Sequence, residues 1–300
     1  RLQVEHPVTE EIIGKDLVRE QIRVAEGETL SFRQEDIGIN GHAIEARLYA
    51  ENPANGFLPS PGPILVWRPA TAGGARFDSG VEAGSEISTQ FDPMIAKVIV
   101  HAPTRREAAG RLARVLETTA IAGMNTNRDF LVTTLRTPEY LAGDTTTDFI
   151  ERVQPALQRN VTTQECIQTA VAVTMEAQAA RRAAAKVLKT LPSGFRNSTM
   201  PMETATYAVN GNDITVSYQS RRDGSFKVVC DKQTHAVTVH RAGNGSVDVA
   251  LDGQRLQFEI QRHGMQWLVH GDHGDLVLTQ APRYPDPQGL ENSGGLTAPM

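Results

Sequence analysis

Few cysteines and no long apolar run set the first limits on this chain. Its two cysteines, Cys166 and Cys230, lack the spacing of a metal site, so we expect reduced thiols in a reducing compartment. No apolar run approaches the ~20 residues that a membrane-spanning helix needs. With 30 basic and 35 acidic residues, the net charge of −5 predicts no general attraction to nucleic acid or anionic lipid.

Length and composition indicate an ordinary globular protein. Three hundred residues allow roughly two domains, and 40% hydrophobic content is enough to bury a core. The chain opens at Arg1, without a methionine or a targeting segment. We therefore expect it to be a piece of a longer polypeptide.

The first five residues, Arg1-Leu2-Gln3-Val4-Glu5, alternate between polar and apolar and predict a short strand. In such a strand Arg1, Gln3 and Glu5 share one face. A guanidinium beside a carboxylate suits a small planar oxyanion such as bicarbonate, which the arginine binds and the carboxylate deprotonates. A half-buried edge strand with a polar outer face explains the same alternation.

Helices and strands are mixed in the rest of the first half. Residues 42–49 alternate again, and Glu45 and Arg47 share the polar face, where Glu45 is expected to orient Arg47 or to lie at the surface. Asp16 is expected to cap a helix that ends at Gly27 and packs through its apolar positions. The other predicted elements are strands around Ile64–Trp67, Ala75–Asp78 and Ile95–Val100, a helix that begins with a capping box of Thr104 and Glu107 and ends at Gly123, and helices around 127–136 and 138–142.

The second half predicts a long helix followed by a barrel. From Thr163 to about Thr190 the composition favours one helix. After Met202, short β-rich runs are separated by strong hairpin-turn dipeptides. These dipeptides are Asn210-Gly211, Asp223-Gly224, Asn244-Gly245 and Asp252-Gly253. About eight strands with such short connections predict an up-and-down antiparallel sheet, and closure into a barrel would remove its edges.

Three separated blocks carry a family resemblance. RLQVEHPVTEEIIGKDLVREQIRVAEGETL, GHAIEARLYAENPANGFLPSPG and FDPMIAKVIV occur in this order. Together they closely resemble the C-terminal part of biotin carboxylase, a component of biotin-dependent carboxylases. The resemblance covers about residues 1–155 and implies the last portion of an ATP-grasp fold with its trailing subdomain.

A second resemblance covers about residues 160–283. A long helix before a barrel resembles the linking (BT) domain of acyl-CoA carboxylase α subunits, and the stretch Leu191–Asn197 is similar to the methylcrotonyl-CoA carboxylase group. Leu296–Met300 resembles the opening of a biotinyl carrier domain. The two resemblances imply an α+β fold class, a truncated ATP-grasp biotin carboxylase followed by a helix and an eight-stranded barrel. The implied domains are 1–158, 159–283 and 284–300.

The first resemblance also assigns roles to residues. Glu5 matches the family's general base, which deprotonates bicarbonate. Arg1, Gln3 and the backbone N–H of Val4 match its bicarbonate contacts. Arg47 matches the arginine that contacts both bicarbonate and the biotin ureido oxygen. The implied catalytic residues are thus Arg1, Glu5 and Arg47, and the alternative is a structural ion pair between Glu5 and Arg47.

The implied function is ATP-dependent carboxylation of biotin, the first half-reaction of an acyl-CoA carboxylase, with the methylcrotonyl-CoA type favoured. Biotin, ATP and Mg²⁺ are the implied cofactors. The magnesium ligands are expected upstream of Arg1 and the biotin-carrying lysine beyond Met300, so we expect no metal site and no activity from these residues alone.

The implied partners are a carboxyltransferase β subunit, bound through the barrel loops and the preceding helix, and a biotinyl carrier domain in the same polypeptide. The resemblance also implies a hetero-oligomer in the bacterial cytoplasm or the mitochondrial matrix. Propionyl-, acetyl- and geranyl-CoA carboxylases remain alternatives. So do a non-catalytic assembly module and a different ATP-grasp ligase.

Overall fold

The computed structural model of the chain describes residues 1–188, 191, 201–272 and 274–284. The chain forms two compact units that divide after Asn160. The LPSGFRN stretch beyond Leu191 and the expected linker and carrier start from residue 285 onward lie outside the described residues. Among the described helices, none combines the length and the apolar character that crossing a membrane requires.

The first unit mixes helices with short strands. Its helices are α1 (His6–Ile13), α2 (Leu17–Ala25), α3 (Arg105–Thr118), α4 (Arg128–Leu135), α5 (Pro138–Ala142) and α6 (Phe149–Val153). Its strands are β1 (His42–Tyr49), β2 (Glu51–Asn52), β3 (Leu58–Pro59), β4 (Gly62–Pro63), β5 (Val66–Arg68), β6 (Arg76–Ser79), β7 (Glu86–Ile87), β8 (Met94–Ala102) and β9 (Ala120–Ala122). Most of the longer predicted elements are present with small shifts at their ends. The helix predicted to end at Gly123 ends at Thr118 and is followed by β9, and neither β9 nor α6 was predicted.

A three-stranded antiparallel sheet in the order β1-β8-β6 lies at the centre of this unit. Side chains alternate between its faces, so Ile44 and Ala46 of β1 are buried on one face, in a core shared with Leu112 of α3. The capping box that begins α3 is present: Glu107 N donates to Thr104 Oγ1 at 3.2 Å, and Thr104 N donates to Glu107 Oε2 at 3.1 Å. With α3 on the apolar face, the polar face of the sheet remains for α1.

The strand predicted for residues 1–5 is wrong. Residues 1–3 are irregular, Val4 and Glu5 lie in a turn, and α1 begins at His6. No described strand pairs with this segment. Pro7 lies in the first turn of α1, where its missing N–H is harmless and its fixed φ favours the helix. The helix-start signal from Pro7 thus outweighed the alternation of polar and apolar side chains over residues 1–5.

The helix predicted after Asp16 is present, but its packing is not. Asp16 Oδ1 accepts from Arg19 N at 2.8 Å at the beginning of α2. The apolar side chains Val18 and Ile22 are 40% and 55% exposed. The helical spacing was therefore correct, while the expected burial of its apolar face is wrong within the described residues.

The second unit is a closed antiparallel barrel of eight strands, as predicted. These are β10 (Glu203–Val209), β11 (Asn212–Ser220), β12 (Phe226–Cys230), β13 (Gln233–Gly243), β14 (Ser246–Leu251), β15 (Gln254–His263), β16 (Gln266–Gly271) and β17 (Gly274–Gln280). Each strand pairs with the next, and β17 closes on β10. Asn210 and Asn244 have φ values of 47° and 55°, as the turns of these hairpins require.

One helix, α7 (Thr163–Ala183), occupies the interior of the barrel. From Cys166 to Ala177 every residue except Gln168 is buried, and the helix shares one core with the strands. The helix ends at Ala183 instead of continuing to about residue 190, because burial sustains a helix and its last turns leave the core. A helix enclosed in this way cannot offer its central face to a partner, which corrects that part of the expected β-subunit contact.

Candidate functional site

The polar face of the β1-β8-β6 sheet gathers charged side chains from three strands. Directly paired residues of antiparallel strands lie on the same face. Arg47 pairs with Lys97 of β8, which pairs with Asp78 of β6. Glu45 lies two residues before Arg47 on β1, and Arg76 lies two residues before Asp78 on β6. Glu45 and Arg76 pair with the same residue of β8 from its two sides. α1 packs across this face, against β1 and β8.

Glu5 reaches Arg47 from the beginning of α1. It is the residue before the helix, and its side chain makes no capping hydrogen bond, which leaves it available to other partners. Arg47 Nη2 donates to Glu5 Oε2 at 2.8 Å. Both side chains stay accessible, with exposures of 41% for Arg47 and 49% for Glu5. A carboxylate and a guanidinium in contact and open to solvent can take a small anion between them.

The other predicted contacts lie just before Glu5. Arg1 and Gln3 are exposed in the irregular segment, and neither forms a hydrogen bond to Glu5 in the described structure. The carbonyl oxygen of Val4 accepts from Lys97 Nζ at 3.2 Å, which ties this segment to β8. The structure therefore brings Glu5 to the sheet and leaves the side chains of Arg1 and Gln3 open.

A second ion cluster fixes α1 on the sheet. Arg76 Nη1 donates to Glu10 Oε2 at 2.7 Å, and its Nε and Nη2 donate to the two Asp78 oxygens at 2.8 and 3.1 Å. Asp78 also lies 3.2 Å from Lys97 Nζ. These contacts hold the helix that carries Glu5. Sequence reasoning missed the roles of Glu10, Asp78 and Lys97, although the polar positions of the two predicted strands could have indicated the last two.

The side chain of Glu45 is buried on this face, so of the two expected roles the surface carboxylate is wrong. Its side chain is 3% exposed, and neither of its oxygens has a hydrogen-bond partner among the described residues. Arg47 Nε lies 3.9 Å from Glu45 Oε1. Burial raises the pKa of Glu45 above its ordinary value; Lys97 and Arg47 act against this shift, and Glu5 and Asp78 add to it.

The described residues do not form a metal site. In this part of the chain, no group of three or more His, Cys, Asp and Glu side chains is placed to hold an ion. Cys166 and Cys230 are free and buried, and burial raises the pKa of the Cys230 thiol. The residues on the polar face therefore do not fit a Mg²⁺ site, and we assign no chemical step to magnesium here.

Three family models match the chain. Residues 45–152 match the biotin carboxylase C-terminal domain, and residues 1–33 match the ATP binding domain of the carbamoyl-phosphate synthase L chain. Residues 164–283 match the BT domain of the methylcrotonyl-CoA carboxylase α-subunit. The chain therefore contains the C-terminal domain of biotin carboxylase and a BT domain. The contact between Glu5 and Arg47 joins two of the matched segments, residues 1–33 and 45–152.

Its relatives are longer than the chain itself. The mitochondrial methylcrotonoyl-CoA carboxylase subunit α of Mus musculus is 37% identical over 261 residues, which are 86% of this chain and 34% of the relative. The propionyl-CoA carboxylase α chain of Ruegeria pomeroyi is 36% identical over 307 residues, 94% of this chain and 45% of the relative. The chain thus spans between a third and a half of the length of these relatives.

A solved structure resembles about half of the chain. It is the biotin carboxylase domain of Hydrogenobacter thermophilus 2-oxoglutarate carboxylase, crystallised as a dimer with MgADP, ADP and bicarbonate. The two are 40% identical with a TM-score of 0.52. The match covers 54% of this chain and 36% of that one.

Proposed function

We propose that this chain takes part in the ATP-dependent carboxylation of biotin by bicarbonate, the first half-reaction of an acyl-CoA carboxylase. One observation carries the proposal, the 2.8 Å contact between Arg47 Nη2 and Glu5 Oε2 on an accessible polar face. The Hydrogenobacter relative, which was crystallised with bicarbonate and MgADP, supports it.

Glu5 acts as the general base. Bicarbonate is a poor nucleophile until it loses its proton, and the Glu5 carboxylate takes that proton. For this, Arg47 must release Glu5 Oε2, and the arriving anion takes its place on the guanidinium. Substrate binding therefore frees the base. A preorganised cation beside the developing charge stabilises a transition state by about 3–4 kcal/mol, or about 10²–10³ in rate.

Arg1, Gln3 and the Val4 N–H supply the remaining donors to bicarbonate. The exposed Arg1 guanidinium offers two parallel N–H groups to a planar oxyanion, which a lysine there would not. The contact from Lys97 Nζ to the Val4 carbonyl oxygen restrains the peptide chain next to this donor set. A restrained donor set costs less entropy when the anion binds.

Biotin, when bound, supplies the ureido nitrogen that accepts the carboxyl group. The half-exposed guanidinium of Arg47 fits the ureido oxygen, because it presents N–H donors to solvent. We propose that ATP and Mg²⁺ are held by residues upstream of Arg1 and that the biotinylated lysine lies beyond Met300. In this proposal the domains are 1–158, 159–283 and 284–300.

The barrel unit is proposed to bind a carboxyltransferase β subunit in a hetero-oligomer, in the bacterial cytoplasm or the mitochondrial matrix. Because α7 fills the interior, the outer wall and the loops are the surfaces that remain for this contact. The test is co-elution of the complete α polypeptide with its purified β subunit. Separate elution while circular dichroism shows an intact barrel would contradict the assignment.

Methylcrotonyl-CoA is the acyl substrate we favour, because the match over residues 164–283 is to that BT domain. Propionyl-CoA is the second candidate, since the Ruegeria relative is 36% identical over 94% of this chain. Incorporation of labelled bicarbonate into a panel of acyl-CoA substrates by the assembled α–β complex separates the two.

Biotin-dependent ADP release by the full natural polypeptide tests the first half-reaction. We expect Glu5→Gln and Arg47→Ala each to lower the biotin-stimulated rate by about 10²-fold or more. Arg33→Ala and Glu35→Gln are the matched control, because these residues form an exposed arginine–glutamate pair at 3.9 Å outside the site. A rate of ADP release that does not depend on biotin, or that is unchanged by both site substitutions, would overturn the proposed function.

A further inference from the structure

Glu45 differs from the neighbouring carboxylates on the polar face of the sheet, because it accepts no hydrogen bond among the described residues. Three cations and three other carboxylates face it: Arg47 of β1 pairs with Glu5 of α1, Lys97 of β8 pairs with Asp78 of β6, and Arg76 of β6 pairs with Glu10 of α1 and with Asp78. The cations are thus matched by these carboxylates. Among the described residues no further cation remains to neutralise a fourth.

Its surroundings favour the uncharged form. The side chain is 3% exposed, and neither oxygen accepts a hydrogen bond in the described part of the chain. A buried carboxylate that accepts no hydrogen bond is costly, and taking up a proton lowers that cost. The raised pKa of Glu45 agrees with this reading, and its first cause is burial.

Its position points to Arg47. The two residues are two apart on β1 and therefore share a face, and Glu45 Oε1 lies 3.9 Å from Arg47 Nε. The guanidinium thus has Glu5 on its Nη2 edge and Glu45 beside its Nε. A protonated carboxyl can still accept through its carbonyl oxygen. A shift of under 1 Å would bring Nε into hydrogen-bond distance of it.

We propose that Glu45 is a positioning residue that works in its protonated form, as a neutral acceptor that holds Arg47 Nε when bicarbonate displaces Glu5 from Nη2. This inference rests on the proposed function. A neutral acceptor keeps the guanidinium in place and leaves its full positive charge for the substrate anion. An ionised Glu45 would compete for that charge and repel bicarbonate.

The consequence is a pH dependence with a defined sign. Below its pKa, Glu45 is neutral and Arg47 serves the substrate. As the pH rises through that pKa, kcat/KM for bicarbonate falls because KM rises.

Two substitutions separate a neutral acceptor from a charged one. Glu45→Gln mimics the protonated carboxyl in shape and in its carbonyl acceptor, while Glu45→Leu has similar size and no acceptor. In biotin-dependent ADP release by the full polypeptide, we expect Glu45→Gln to keep KM for bicarbonate within about twofold and to lack the alkaline fall. Glu45→Leu should raise KM by about 10-fold or more, as expected for one lost hydrogen bond to a charged group.

Glu51→Gln is the matched control. Burial also raises the pKa of Glu51, which lies on β2 outside this face, so the pH profile of this variant should follow the wild type. An equal rise in KM for bicarbonate in Glu45→Gln and Glu45→Leu would show that the charge of Glu45 is needed. Wild-type kinetics in both variants would show that Glu45 has no role in bicarbonate binding. Either result overturns the proposal.

A readout without turnover keeps this inference distinct from the proposed function. The infrared difference spectrum of wild type minus Glu45→Gln, taken below the pH at which kcat/KM for bicarbonate falls, should contain the C=O band of a protonated carboxyl. Its absence would refute the proposal whatever the enzyme does. Loss of activity in Glu5→Gln and Arg47→Ala with unaltered kinetics in the Glu45 variants would refute the inference alone.

Discussion

Replacing Arg47 should separate stability from activity. The ion pair with Glu5 is 2.8 Å long, but its side chains are 41% and 49% exposed, so solvent and salt screen it. Exposed pairs of this kind contribute roughly 0.2–1 kcal/mol to stability. We therefore expect Arg47→Ala to lower the free energy of unfolding by under about 1 kcal/mol. The same change should cost about 10²–10³ in biotin-dependent rate.

The assay is urea denaturation of wild type and variant, followed by fluorescence, beside biotin-dependent ADP release. Arg47→Lys is the informative second variant, because it keeps the charge and loses the planar fork. We expect its stability to match the wild type and its rate to stay low. If Arg47→Ala lowered the free energy of unfolding by about 3 kcal/mol or more and left the rate near normal, the ion pair would serve to stabilise the fold. The catalytic reasoning would then be wrong.

Three further predictions concern packing and pH. Ala170 lies inside the barrel at 0% exposure, so Ala170→Leu should destabilise the protein by about 1–3 kcal/mol in thermal denaturation. Ala180 lies on the exposed last turn of α7, so Ala180→Leu should have almost no effect on stability. Equal effects of the two substitutions would argue against an enclosed helix. Gly123 has a φ of 121°, and a Cβ at this position would lie 2.0 Å from a carbonyl oxygen of β4. Gly123→Ala should therefore lower the melting temperature of the first unit. An unchanged melting temperature would contradict this close approach of the two backbones. Hydrogen bonds from Arg255 lower the pKa of Asp248 to about 2. The resulting stability is complete above the ordinary carboxyl pKa and is lost as the pH falls towards the folded value, so Asp248→Asn should flatten the acid limb of the stability curve measured by urea titration.

Much of the fold was accessible from local sequence signals. The capping box of Thr104 and Glu107 and the Asn-Gly turns at 210 and 244 act through neighbouring atoms, and all are present as predicted. The placement of α7 inside the barrel was not predictable from periodicity. A helix buried on all sides shows no amphipathic stripe, and its alanine-rich composition is also that of an ordinary exposed helix.

The candidate site was predicted through family resemblance more than through pattern. Alternation placed Glu45 and Arg47 on one face correctly, because both lie in a paired strand. The same signal failed over residues 1–5, where Pro7 favours a helix start and no described strand supplies a ladder. The burial of Glu45 depends on α1 crossing the sheet, which is a tertiary contact that no local spacing encodes.

The enclosed helix also constrains how the second unit reaches its native state. α7 precedes every strand of the barrel in the chain, and its buried stretch from Cys166 to Ala177 carries one charged side chain, Glu176. The hairpins can form early because their contacts are local, whereas joining β10 to β17 requires the sheet to wrap around a helix already in position. During synthesis α7 therefore emerges before the strands that cover it, and its surface stays open to wrong contacts until the last strand closes. Barrel closure and helix burial are expected to be one cooperative event.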